Sequence, residues 1–359
     1  MKKVLVTGAA GFIGSHVVRE LLADGTEVRC LIRPGENTAN LNGLDVDMVT
    51  GDVLDAAAVK KAVNGVDTVF HLAAVFSIWM RDWGRIYEVN IQGTRNVLWS
   101  CLKNDIGKVV YTSSIAAIGI APGTALSNED TPFNQYTLGN HYVLTKYLSQ
   151  QEALGFAKNG LDLVVVNPCF PFGPMDIAPT PTGQIIVDIL KGLSRAYFDG
   201  GINIIDVRDV ARGHVLAAKK GRAGALYILG NLNISMADFM PLVCRAAGLD
   251  GRKLLKVPVP LMKAGTAGLK WLSDHVTLRP PLSTPVEIAY ASQYLYFDNA
   301  RAAGELGLTL RPVEDSLRDS IAWFRDSGKA CPKGVVHDGQ ERIRQNAAQA
   351  VLPGHRRTG

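Results

Sequence analysis

Residues 4–7 form a short apolar, largely β-branched run. Thr7-Gly8-Ala9-Ala10-Gly11-Phe12-Ile13-Gly14 carries that run straight into a helical pattern over residues 13–23. A strand, a glycine-rich turn and a helix in that order confine this chain more than any other stretch of it. Glycines permit a tight turn and a close backbone approach to a diphosphate, and a helix start offers unpaired N–H groups at the positive end of its dipole. The spacing is Gly-x-x-Gly-x-x-Gly, and a glycine motif alone can be a plain βα turn. The flanking strand and helix favour a nucleotide-binding loop formed by Gly8, Gly11, Phe12, Ile13 and Gly14.

The same rhythm continues through the first half. Apolar runs at residues 27–32, 47–50, 68–72, 108–112 and 163–166 alternate with helical patterns at 56–63, 86–102 and 141–158. Such alternation predicts βαβ units, and continuous apolar strands predict a parallel sheet covered on both faces. The expected fold is α/β: a Rossmann-like, doubly wound parallel sheet with a smaller, discontinuous C-terminal substrate domain. Residues 1–174 with 201–222 and 286–299 are assigned to the first, its sheet being completed near 202–215 and 289–298. Residues 175–200, 223–285 and 300–327 are assigned to the second, and 328–359 to a frayed basic tail. Residues 258–272 are apolar and periodic but interrupted by Lys263 and Lys270. They read as a substrate-domain helix, with an interfacial membrane helix as the alternative.

The 38 Lys and Arg against 33 Asp and Glu could suggest a polyanionic partner. From Arg325 onward, however, seven basic residues face three acidic ones, which leaves residues 1–324 at +1. No nucleic-acid surface is indicated. Five scattered cysteines without a Cys-x-x-Cys or a histidine-rich neighbour argue for reduced thiols and against a metal site. With neither a leader-like N-terminus nor a spanning apolar run, a cytoplasmic protein is expected.

The second strand ends Leu31-Ile32-Arg33-Pro34, with no acid at the position that would accept bonds from a ribose 2′-hydroxyl; Arg33 can instead pair with a 2′-phosphate. NADP(H) is therefore favoured over NAD(H). Asp52 and Val53 follow the third strand, where Asp52 can take the adenine amino group. Leu72, Ala73 and Ala74 follow the fourth, and their small side chains let a cofactor lie against the backbone. Tyr142 is the one tyrosine with a lysine four residues later, so Tyr142 and Lys146 share a helix face. An ammonium there would lower the phenol's pKa and could hold the ribose. Thr112, Ser113 and Ser114 close the fifth strand at the ligand-binding edge, where Ser114 can bind the reacting oxygen. Ser114, Tyr142 and Lys146 are the candidate catalytic residues.

These motifs together resemble the extended short-chain dehydrogenase/reductases, the NAD-dependent epimerase/dehydratase group. The likeness covers residues 1–324: the glycine loop, Gly51-Asp52, His71-Leu72-Ala73-Ala74, Asn90, Ser113-Ser114, Tyr142-x-x-x-Lys146, Gly173-Pro174 and Asp206-Val207-Arg208-Asp209-Val210-Ala211. Within that group, residues 179–188 look most like the dihydroflavonol-reductase-like branch, which includes the hopanoid-associated sugar epimerases. The resemblance implies that Pro168 backs the nicotinamide and that the chain dimerises through paired helices, here 86–102 and 141–158. It also weighs the reactions. Family dehydratases carry an Asp-Glu pair after the strand-five hydroxyl, and this chain has Ile115-Ala116-Ala117. Sugar-nucleotide epimerases end the sixth strand with an asparagine-bearing pattern, and here Phe170 stands in that place. Phe76, Ile78, Trp79 and Met80 add apolar bulk. Phe76, Trp79, Met80 and Phe170 are therefore the candidate substrate contacts. The expected activity is interconversion of an alcohol and a ketone on a small, apolar, sterol- or hopanoid-like molecule. A nucleotide-sugar epimerase with tightly held cofactor and a non-catalytic cofactor sensor are the alternatives.

Overall fold

The computed structural model describes residues 1–330 apart from positions 78, 81, 250 and 252. Ile78 and the tail reading from residue 331 onward lie outside the described residues. In chain order the first half holds β1 (Lys3–Thr7), α1 (Phe12–Ala23), β2 (Glu27–Ile32), β3 (Asp47–Thr50), α2 (Ala56–Val63), β4 (Thr68–His71), α3 (Gly84–Tyr87), α4 (Thr94–Lys103), β5 (Lys108–Thr112), α5 (His141–Lys158) and β6 (Leu163–Pro168). The second half adds β7 (Phe170–Phe172), α6 (Pro181–Leu190), β8 (Ala196–Tyr197), β9 (Gly201–Asp206), α7 (Val207–Lys220), β10 (Leu226–Leu229), β11 (Leu232–Ser235), α8 (Met236–Ala246), β12 (Leu255–Lys256), α9 (Val259–Leu272), α10 (Pro285–Ala291), β13 (Tyr294–Leu295) and α11 (Val313–Asp326).

Seven parallel strands in the order β10-β6-β5-β4-β1-β2-β3 form the main sheet. Along β1 the period of two is visible in the packing: Val4 and Val6 join one core with Val17, Val18 and Leu21, while Leu5 joins the other with Val69, Val97 and Val109. Helices therefore cover both faces, with α1 against α7 on one side and α4 against α2 and α5 on the other. The winding direction reverses between β1 and β4, and in such sheets the crevice beyond the strand ends at that point is where ligands bind.

A second core lies beyond β6. There β9 is flanked by β7 and β13 in parallel and β11 antiparallel. Phe172, Ile186, Phe239, Leu317 and Phe324, from β7, α6, α8 and α11, fill it. The strand at residues 202–205, expected in the main sheet, is thus the centre of the smaller one. Its place is taken by β10, which was expected in the smaller lobe. Both runs are short, mainly apolar and largely buried, so periodicity cannot separate them; the return of α7 across α1 is what carries the chain back to pair β10 with β6.

The expected helix at 86–102 is continuous but widened, because α3 passes into a π-helical stretch at Glu88–Gly93 before α4. That stretch turns both Asn90 and Thr94 toward the sheet, where they are buried.

Candidate active site

The loop between β1 and α1 is built for close approach. Gly8 has φ +69°, and a Cβ there would lie 2.8 Å from the Ala73 nitrogen. A Cβ on Gly14 would overlap the Gly8 carbonyl. Gly11 caps α1 with no side-chain acceptor, which leaves the first N–H groups of the helix, at Phe12 and Ile13, facing the crevice end. This cradle, which side chains would fill, fits a dinucleotide diphosphate. Two buried polar atoms at the neighbouring strand ends, Ser113 Oγ and Asn167 Oδ1, have no hydrogen-bond partner among the described residues, as expected where a polar ligand completes the set.

The crevice walls are held by a chain of hydrogen bonds that the sequence motifs do not display. The Ala73 N–H donates to Thr7 Oγ1 at 3.2 Å, and Thr7 Oγ1 lies 2.7 Å from His71 Nδ1. His71 Nε2 lies 3.0 Å from Thr94 Oγ1, whose hydroxyl donates to the Asn90 carbonyl at 2.7 Å. With the Thr94 proton committed to that carbonyl, His71 must donate from Nε2 and accept from Thr7 at Nδ1. Burial, with the Lys146 charge adding to it, pushes the imidazole down to about 3, so it stays neutral. Asn90 adds a clamp: its side chain bonds both backbone groups of Val75 and donates to Thr145 Oγ1 at 3.1 Å. The segment Leu72, Ala73 and Ala74 is thereby fixed between β1 and α5.

Around the adenosine end the expected residues divide. Arg33 is exposed just past β2, and its backbone N–H donates to Glu36 Oε2 at 2.9 Å. The loop thus brings back an acid that inspection of the strand end alone does not count. Asp52 caps its own turn through the Leu54 N–H at 3.0 Å and takes Arg85 at 3.3 Å. Val53 is buried against Gly93 in the sheet core.

At the reaction end, Asn140 caps α5 through the Val143 N–H, which sets Tyr142 and Lys146 in the first turns. Ser114 is close enough to the Tyr142 hydroxyl to favour its ionised form, and Ser114 Oγ accepts the Ala116 N–H at 3.1 Å. Lys146 is buried and donates to the Thr112 carbonyl at 3.2 Å. Burial pushes the Lys146 ammonium down to about 8. Burial likewise raises Tyr142, with Ser114 opposing it. The lysine that was expected to lower the phenol's pKa instead directs a donor to the strand carbonyl. Thr112 has a further partner, His214 Nε2 at 2.9 Å, and His214 Nδ1 reaches the Val210 carbonyl at 2.8 Å. Pro168 ends β6, and Asn167 beside it donates to the Ser114 carbonyl at 2.8 Å.

A cavity of about 750 Å³ opens next to this group, lined by Trp79, Met80, Trp83, Asn140, His141, Leu278, Val286 and Glu287 among others. Phe76 meets the Tyr142 ring edge-on at 4.7 Å. Phe170 lies in β7, packed between the two cores and away from the cavity lining. Trp83 stacks on His141 at 4.4 Å, and Tyr87 binds His141 Nδ1 at 3.0 Å. Trp79 Nε1 donates to Asp274 at 2.8 Å, and Asp274 takes Lys270 at 2.5 Å. His141 reads from the sequence as a pocket-wall or surface histidine, and it lines the cavity; its partners Trp83 and Tyr87 were not expected, since nothing in their spacing announces a stack.

Comparison with known proteins agrees with this geometry. The family described as NAD dependent epimerase/dehydratase matches residues 4–230. A putative dihydroflavonol 4-reductase of Synechocystis sp. is 39% identical over 331 residues, covering 90% of this chain and 94% of its own length. Sterol demethylase protein B of Methylococcus capsulatus is 33% identical over 329 residues, covering 90% and 98%. The solved structure of gox2253 superposes with a TM-score of 0.82 at 36% identity, over 92% of this chain and 100% of that one.

Proposed function

Because this chain belongs to the NAD dependent epimerase/dehydratase family, and so is an NAD(P)-dependent enzyme of the short-chain dehydrogenase/reductase type, we propose that it interconverts a secondary alcohol and a ketone on a largely apolar substrate, polycyclic or isoprenoid-derived, with NADP(H). The observation that carries this reading is Tyr142, held between Ser114 and the Phe76 ring beside a cavity walled by Trp79, Met80 and Trp83.

When bound, the reduced cofactor supplies hydride to the carbonyl carbon. Tyr142 gives its proton to the developing alkoxide. Its raised pKa keeps that proton in place at neutral pH, so it enters the reducing direction as an acid. Ser114 accepts the Ala116 N–H, which leaves its own hydroxyl proton to orient and polarise the substrate oxygen, and then to stabilise the phenolate. Lys146, protonated below about 8, supplies positive charge near that phenolate and is placed to grip the ribose. Water elimination would need an acid/base pair after Ser114. Residues Ile115–Ala117 form a buried 3-10 turn with no such side chains. The names of the two relatives, a putative dihydroflavonol 4-reductase and sterol demethylase protein B, support a reductive step and an apolar, sterol-type substrate respectively. The exposed guanidinium of Arg33 supports NADP(H). Dimerisation through α4 and α5, where Trp99 and Leu148 are exposed, belongs to the same proposal.

The test is NADPH oxidation against a panel of apolar ketones, read at the nicotinamide absorbance band. Tyr142→Phe keeps the Phe76 contact and removes the proton; a rate loss of at least about 100-fold is expected. Full activity in that variant would overturn the assignment. Conversion of a nucleotide sugar at constant absorbance would establish the epimerase reading instead, and cofactor binding without turnover would establish the sensor reading.

A further inference from the structure

The solvent side of α9 reverses the pattern of an ordinary surface helix. Thr266 is its one buried residue, and Lys263 and Lys270 share that half-buried stripe at i, i+3 and i+7 spacing. The opposite side carries Leu261, Gly265, Gly268 and Leu272, with Ala264 and Trp271 on its flank, and no charge. Leu261 is 64% exposed and Trp271 60%, and the apolar surface continues beyond the helix through Val276 at 60% and Leu282 at 90%. A water-facing helix keeps its apolar residues inward; here Lys263 and Lys270 flank the buried Thr266 contact half-exposed, while Leu261 and Trp271 face out.

Charge is concentrated in the same place. Residues 251–282 hold six Lys and Arg against one acid, Asp274, while the rest of residues 1–324 holds 25 against 29. A net +5 is thus set within a body that is otherwise net −4; Lys256 pairs with Asp199 and Lys270 with Asp274, which leaves Lys253, Lys263 and Arg279 as its cations without an ion-pair partner among the described residues. Upstream, β12 pairs with β8 and brings exposed Leu255 beside Arg195.

We propose that α9 and the segment after it dock this protein on an anionic lipid surface, with the Leu261–Trp271–Leu272 face entering the headgroup boundary and the surrounding Lys and Arg meeting the lipid phosphates. An exposed Trp amid leucines, flanked by cations, is the composition that lies in such an interface. Charge complementarity selects this occupant. A second copy meeting the face about a two-fold axis would set the same cationic excess against itself. The segment from residue 331 onward, with five Lys and Arg against two acids, is also cationic. No described helix is long and apolar enough to cross a bilayer, so the contact is peripheral. Lys270, Asp274 and Leu278 line the cavity from this same segment, so docking lays the cavity wall along the lipid. The route this offers an apolar substrate rests on the reductase reading; the docking does not.

The experiment is co-sedimentation of the full chain with vesicles of phosphatidylcholine and phosphatidylglycerol in equal parts, beside vesicles of phosphatidylcholine alone. Binding to the mixed vesicles is expected, at least about tenfold tighter than to the neutral ones and weakened by salt. Leu261→Glu combined with Trp271→Glu should weaken it at least about tenfold while thermal unfolding stays unchanged, since both side chains are exposed. Three results would overturn the proposal: no binding to the mixed vesicles, equal binding by the variant, or a lipid-free dimer that the variant dissolves. Turnover of a water-soluble ketone reports on the reductase reading separately.

Discussion

Two glycine-to-alanine substitutions on helices of the same sheet should move stability in opposite directions. Gly155 lies within α5, and a Cβ there meets nothing within 4 Å. Alanine at that site removes only the excess backbone freedom of glycine, so Gly155→Ala should stabilise by about 0.5–1 kcal/mol. Gly14 lies in the first turn of α1, where the same propensity gain applies, but its Cβ would overlap the Gly8 carbonyl oxygen and lie 2.9 Å from the Gly8 carbonyl carbon and 3.0 Å from Ala9 Cα. Those carbon contacts are about 0.5–1 Å inside the optimum separation, and the obstacle is backbone, which cannot rotate away. Relief requires α1 to move from β1, against the α7 packing, or the loop to shift into the crevice. Overpacking of this kind costs about 1–3 kcal/mol, more than the helix gain returns. Gly14→Ala should therefore lower the unfolding temperature by several degrees while Gly155→Ala raises it by a degree or two. The loop displacement should also weaken NADPH binding in Gly14→Ala and leave it intact in Gly155→Ala. Calorimetry and cofactor titration on both variants decide the matter. A Gly14→Ala protein as stable as its parent, with unchanged cofactor affinity, would refute the close-approach account of the loop.

Two further perturbations test the cavity wall and the cofactor choice. Burial raises the Glu287 carboxyl from its ordinary value of 4.5 to about 7, against the opposing bonds from the Thr284 N–H and Ser283. A folded-state pKa above the unfolded one gives stability that is present below about 4.5 and lost as pH rises through about 7; Glu287→Gln, which keeps the capping acceptor, should therefore gain on the parent between those limits, and a pH-independent difference in unfolding temperature would count against the buried-acid reading. For the cofactor, Arg33→Ala should weaken NADPH binding and leave NADH binding nearly unchanged; equal losses for both would show that the guanidinium does not meet a 2′-phosphate.

What could be read in advance was whatever depends on order along the chain. A strand, a glycine turn and a helix are local, and so are Tyr142 and Lys146 on one face of α5; each follows from a few neighbouring residues. Position in the sheet is not local. Leu226–Leu229 and the strand at Gly201–Asp206 are both short and rich in apolar residues, and only the packing of α7 on α1 decides which of them pairs with β6. The histidine chains were illegible for the same reason. Thr7, His71 and Thr94 stand 64 and 23 residues apart, and Thr112 and His214 stand 102 apart. Each threonine taken alone is an ordinary β-strand or helix residue. Their meaning comes from the parallel register that sets Thr7 opposite His71 and from the π-helical stretch that turns Thr94 toward the ring.

The lysine pair that breaks up the apolar pattern at residues 258–272 shows how periodicity can be read correctly and still point the wrong way. Lys263 and Lys270 lie on one stripe, and on a helical wheel a charged stripe normally marks the solvent side. By that rule the uncharged face should have been buried against the second core. In the structure α9 packs on α10 and the turn after it, with Thr266 at the contact, and Lys270 turns inward to pair with Asp274. Asp274 in turn accepts from Trp79 at the cavity edge. Of the polar stripe, Lys270 is therefore held at the cavity wall, and the apolar stripe is what remains for solvent. A wheel gives the angle between two faces but not which one meets the protein; here the answer depended on an acid four residues beyond Lys270 and a tryptophan 195 residues before that acid in sequence. The consequence is an amphipathic helix mounted outside-in on the substrate lobe, an arrangement that costs exposed apolar area unless something less polar than water lies against it.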